Sequence, residues 1–137
     1  GVLADRLGTL ATAGLGLAGM ASALILHSLV LKLMPGQAHY AVLGTIFLWG
    51  ISGWAFYPAQ IASIIRIEPQ ASMIALSLNA SSMYLGFAIG GALGGAVLAT
   101  LSPNDLGWIG GTSVAASLLV HLARGWQARP KPVKIAG

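Results

Sequence analysis

Four stretches of this sequence contain no Asp, Glu, Lys or Arg, and all four are long: residues 9–31, 40–65, 71–101 and 106–123. The hydrocarbon core of a bilayer is about 30 Å thick, so a helix needs ~20 predominantly apolar residues to cross it, with a range of roughly 17 to 25. Each stretch reaches that range. Within hydrocarbon every backbone N–H and C=O must be satisfied inside the protein, which leaves helices or a closed barrel. Barrel strands alternate polar and apolar side chains over about ten residues, and these runs do not alternate. The expectation is an all-α membrane protein with four transmembrane helices.

Composition narrows the function classes. Charged residues make up 7% of the chain, against roughly 25% in a soluble domain, and mean hydropathy is +0.82. A soluble enzyme is excluded further because the connections hold no set of nucleophile, base and acid. Cysteine is absent, and His27, His39 and His121 are too scattered for a local metal motif, so no metal and no cofactor are expected. The formal net charge of +4 reads as membrane orientation rather than as a nucleic-acid surface. Arg6, Arg66, Arg124, Arg129, Lys131 and Lys134 share one side of a four-span topology and Lys32 stands alone on the other, which places both ends and the 66–70 connection in the cytoplasm of a cell (inner) membrane. Turn formers in "MPGQ" and "SPND" fill the outer connections. Residues 126–137 are basic, hold two prolines and lack apolar periodicity, and read as a disordered cytoplasmic tail. A signal peptide does not fit the N-terminus, where Asp5 interrupts the basic region and the apolar run is too long.

Two of the stretches carry patterns beyond hydropathy. In residues 71–101, Ser82, Gly86, Gly90 and Gly94 recur at i+4 with Gly91 and Gly95 alongside, a flat stripe for close or sliding helix contact. In residues 40–65, Trp49, Gly53, Phe56 and Gln60 fall at i, i+4, i+7 and i+11, with Trp54 and Tyr57 nearby and Pro58 interrupting the ladder. That aromatic face suits the wall of a cavity for a bulky, partly apolar ligand, or else burial between helices. Gln60 and Asn79 are polar groups in apolar runs, expected to hydrogen-bond across helices and to reach the same cavity. The first and fourth stretches, mostly Leu, Ala, Ile and Val, are expected to face lipid. His27 and His121 fall near stretch ends and read as interfacial. No stretch holds a charged residue at depth, so this chain has no evident proton carrier of its own.

The first eight residues, "GVLADRLG", resemble the signature loop of the major facilitator superfamily, G-x-L-a-D-R-x-G, with Gly1, Asp5, Arg6 and Gly8 at the matching positions. In that superfamily the loop joins helices two and three, and a copy joins helices eight and nine. The segment "FLWGISGWAFYPAQIASIIRIEPQASMIALSLNASSMYLGFAIGGALGG" is similar to helices ten and eleven of drug:proton antiporters related to the arabinose-efflux and chloramphenicol-resistance permeases. The resemblance runs from residue 1 to about 125. It implies a signature loop at 1–8, helices nine to twelve at 9–125 in the C-terminal half of the bundle, and helices one to eight as partners lying outside this sequence. A small-molecule substrate and protons are implied as further partners, beside the lipid bilayer.

Residue by residue, the resemblance implies that Asp5 meets the cytoplasmic start of a helix in the other half-bundle. Arg6 would pair with a carboxylate or carbonyl, the glycine stripe would slide between halves, and the aromatic face would line the central cavity. One departure is that the usual basic continuation after the last glycine of the motif is here Thr9-Leu10. The implied function is proton-coupled efflux of drugs or small metabolites by alternating access. The alternative left open by the residues alone is a self-contained four-helix scaffold that oligomerises through the stripe and transports nothing.

Overall fold

The computed structural model describes residues 2–34, 36, 38–67 and 69–127. Helix α1 spans Val2–Leu7, α2 Thr9–Leu33, α3 Ala38–Ile67, α4 Ser72–Thr100 and α5 Leu106–Gln127, with a 3-10 turn at Pro103–Asp105 leading into α5. No strand occurs among the described residues. The helices α2 to α5 are each long and apolar enough to cross a membrane, so the all-α, four-span expectation holds.

Three of these helices run past the ends of the uncharged stretches, each carrying one basic residue in its last turn: Lys32 in α2, Arg66 in α3 and Arg124 in α5. A cation at a helix C-terminus meets the negative end of the macrodipole, and its long stem can follow the apolar surface while the charge reaches the interface. Charge therefore marks the last turn of these three spans rather than their ends. Residues 2–7, expected as loop, are helical instead, and Trp126 and Gln127, expected in the tail, close α5. The expectations for Gly1 and for 128–137 lie outside the described residues.

The packing is centred on α2, with α3 against one side and α5 against the other, while α4 touches α3 and α5 sparingly. Ala13, Gly16, Leu17, Ala21, Ala23 and Ser28 of α2 are all buried. This corrects the expectation that the first stretch faces lipid. Between helices in a bilayer there is no hydrophobic driving force, so contact is won by small residues that let backbones approach, and α2 is rich in them. A Cβ added at Gly16 would lie 2.7 Å from Phe56 Cβ and 2.9 Å from the Ser52 carbonyl oxygen. On the other side, one added at Gly111 of α5 would lie 2.6 Å from Ile25 Cγ1, and one at Gly107 would overlap the Leu24 carbonyl oxygen.

Polar ties fix the register at both ends. At one end the fully buried Ser28 Oγ donates to the Asn104 carbonyl at 2.5 Å, and Lys32 Nζ lies 2.8 Å from Asp105 Oδ1 and 6.0 Å from the Trp108 ring centroid. At the other end Arg66 Nη2 donates to Thr9 Oγ1 at 2.8 Å, and His121 Nε2–H donates to the Leu10 carbonyl at 2.9 Å. Arg66 and the end of α5 therefore share one end of the bundle and Lys32 the other. In the connection before α5, the hydrogen bond from Lys32 holds the Asp105 carboxyl below its ordinary range.

Two outcomes follow from this packing. Replacing Gly16 or Gly111 by Ala overpacks a backbone contact and should lower stability by about 1–3 kcal/mol, read as thermal unfolding in detergent. Asp105→Asn should lower the unfolding temperature at neutral pH. Because the native pKa of Asp105 is depressed, its contribution is complete above the unfolded carboxylate's pKa and is lost as pH falls through the native value, so wild type and variant should converge in acid.

Candidate functional site

The α3 face away from α2 is aromatic and open. Trp49, Gly50, Gly53, Trp54 and Tyr57 line a groove of about 300 Å³, and a Cβ at Gly50 or Gly53 would meet nothing within 4 Å. The glycines form the floor and the rings form the walls, with Trp54 79% exposed. Pro58 lies within α3 while the helix continues to Ile67. Its missing N–H leaves the Trp54 carbonyl without the usual intrahelical donor, an acceptor on the helix that carries the groove. Rings of this kind can stack on a flat apolar ligand.

The four-residue pattern predicted along α3 is divided by the structure. Trp49 and Gly53 share the groove. Phe56 instead sits at the α2 contact, its Cα 3.0 Å and its Cβ 2.7 Å from where a Cβ on Gly16 would stand. Gln60 turns to α4, where its Nε2 donates to Asn79 Oδ1 at 2.7 Å, the expected cross-helix bond. Gln60 Oε1 and Asn79 Nδ2 make no hydrogen bond among the described residues and remain available to a polar ligand or water. Ser52 and Ala59, both buried, complete the side that packs on α2; Phe56 falls within that side, and Trp49 borders the groove.

The glycine stripe of α4 is open among the described residues. Cβ atoms at Gly86, Gly90, Gly91 and Gly95 would meet nothing within 4 Å, and at Gly94 only Leu106 Cδ2 at 4.0 Å. Ser82 on the same helix is exposed and returns its hydroxyl to the Leu78 carbonyl. The close approaches among these helices come instead from glycines that the sequence reading passed over, Gly16, Gly19, Gly107 and Gly111, of which the last two stand at i and i+4.

In the signature segment, Asp5 and Arg6 are exposed on α1 and make no ion pair among the described residues. Gly8 breaks α1 from α2 with φ 85° and ψ 154°, a region open essentially to glycine alone. Thr12 Oγ1 and Thr12 N–H both donate to its carbonyl, at 2.9 and 3.1 Å. The Arg66 guanidinium on Thr9 brings a cation to the place where the sequence has Thr9-Leu10. A further bond absent from the sequence reading ties α2 to α3: Thr45 Oγ1 donates to the Val42 carbonyl, so at the 2.9 Å contact His27 Nδ1–H donates to Thr45.

No family model matches the chain, and no solved structure matches it. It is 30% identical over 95 residues to the uncharacterized MFS-type transporter YbcL of Bacillus subtilis (strain 168), an alignment that covers 69% of this chain and 24% of that protein. The chain thus spans about a quarter of the length of the relative it matches. The likeness supports membership in the major facilitator superfamily.

The Gln60–Asn79 bond and the Gly8 backbone each give a measurable expectation. A double-mutant cycle with Gln60→Ala and Asn79→Ala should return a coupling of about 0.6–2 kcal/mol. Gly8→Ala should cost about 1–3 kcal/mol through its backbone conformation alone, measured by unfolding in detergent.

Proposed function

We propose that this chain is helices nine to twelve of a major facilitator superfamily transporter, one that exports drugs or small metabolites in exchange for protons by alternating access. The observation that carries the reading is the 30% identity to an MFS-type transporter over 69% of the chain. In such a transporter two half-bundles rock around a midplane site. The groove of Trp49, Gly53 and Trp54 would face the central cavity, with the Gln60–Asn79 pair offering Gln60 Oε1 and Asn79 Nδ2 to it. The open stripe from Ser82 to Gly95 would be the surface on which the other half slides. Arg6, Arg66 and Arg124 mark the cytoplasmic side by the positive-inside rule.

Asp5 would stand at a helix N-terminus of the other half, where an anion is worth about 0.3–1 kcal/mol and up to ~2 when partly buried. That is enough to bias which face of the transporter is closed. The described spans hold no carboxylate, so the proton-carrying group would belong to helices outside this sequence.

The test is uptake into proteoliposomes bearing the whole transporter under an imposed pH gradient. Asp5→Asn should reduce transport, by up to about thirtyfold for the ~2 kcal/mol limit, while expression is unchanged. Trp49→Ala and Gln60→Ala should alter the substrate profile. Wild-type rates in Asp5→Asn would remove Asp5 from the gate, and an unchanged profile in both other variants would return the aromatic face to packing.

A further inference from the structure

A second cavity lies away from the aromatic groove, between the start of α2 and the end of α5, with a volume of about 820 Å³. Leu10, Leu15, Leu118 and Leu122 form its walls and Trp126 its mouth, and His121 and the Trp126 indole bring the polar atoms among its lining side chains. The imidazole is held by its bond to the Leu10 carbonyl above Gly14, whose missing Cβ keeps the floor low: a carbon there would lie 3.5 Å from His121 Cδ2. The walls are open to the outside, with Leu10 and Leu122 about half exposed and Trp126 77% exposed.

The charge around the mouth selects an occupant. Arg124 sits between the lining residues Ala123 and Gly125, and Arg6 directly precedes the lining residue Leu7. Both are exposed and make no ion pair among the described residues. Asp5 stands next to Arg6, and Arg66 is at the same end on Thr9, so among the described residues this end is net cationic. An apolar trough whose lining holds an exposed indole and is adjoined in sequence by two exposed arginines suits a lipid with an acyl chain and an anionic head.

We propose that the trough between α2 and α5 is a binding site for an anionic phospholipid, with an acyl chain laid over Gly14 between the leucines and the phosphate at Arg124 and Arg6. The site rests on the membrane-spanning reading of these helices and is independent of what, if anything, they transport. Its ligand comes from the bilayer and not from the transport pathway.

The experiment uses the whole protein carrying this segment, reconstituted in vesicles that contain phosphatidylglycerol or phosphatidylcholine with a photoactivatable acyl chain. Cross-linked peptides are then mapped by mass spectrometry. Phosphatidylglycerol should label residues 7–18 and 118–126 above the other lipid-facing segments and more strongly than phosphatidylcholine. Arg124→Gln, an exposed position, should reduce that preference about fivefold, the share of one arginine at an anionic surface. Gly14→Leu should fill the trough and remove the labelling while circular dichroism shows unchanged helix. Equal labelling by the two lipids would reduce the site to ordinary annular contact. Absence of labelling in both segments would mean that protein covers the trough. Either result overturns the proposal.

Discussion

Everything in this bundle depends on how closely α2 lets its neighbours come. Lipid tails are as apolar as leucine, so nothing is gained by hiding a leucine from them. Cohesion must come from backbone-close van der Waals contact and from hydrogen bonds. Small residues on α2 meet Ser52 and Phe56 of α3, and glycines of α5 settle onto Leu24, Ile25 and Ser28. Large side chains are displaced outward, and for that reason so many Leu, Ile and aromatic residues of α3 and α4 lie exposed. That exposure suits helices turned to lipid or to further protein.

The polar ties are arranged around the same axis. Ser28 with Asn104 and Lys32 with Asp105 hold α2 to the turn before α5 at one end, and Arg66 with Thr9 and His121 with Leu10 hold three helices at the other. Between them, α2, α3 and α5 form a consolidated unit. The α4 stripe and the α3 groove are left as its open surfaces, joined by the Gln60–Asn79 bond.

Much of the fold was legible because hydropathy and charge act through simple thermodynamics: the four spans, their alternation and the Gln60–Asn79 pairing follow from the cost of leaving polar groups unpaired in hydrocarbon. What was not legible depends on which neighbour lies opposite. The Ser82–Gly95 stripe is the more regular pattern, yet within this chain the tight contacts belong to Gly16, Gly107 and Gly111, whose significance appears only once α2 is flanked on both sides. Phe56 shares a sequence period with Trp49 but belongs to the α2 contact, because the packing of Ser52 and Ala59 sets the rotation of α3. The Lys32–Asp105 pair joins residues seventy-three positions apart, and no local spacing announces it. The helical form of residues 2–7 was hidden by reading glycines as loop, when Gly8 alone makes the turn.

We propose above all that the open aromatic face of α3 borders a path for solute rather than lipid. It is tested most directly with Gly53→Cys in the whole protein, in a background otherwise free of cysteine. A charged thiol reagent that cannot cross the membrane is applied from each side, with and without transported substrate. The account predicts labelling that substrate protects and that shifts between sides as the pH gradient is reversed. A position 53 that reacts only with a lipid-soluble maleimide, indifferent to substrate, would contradict it.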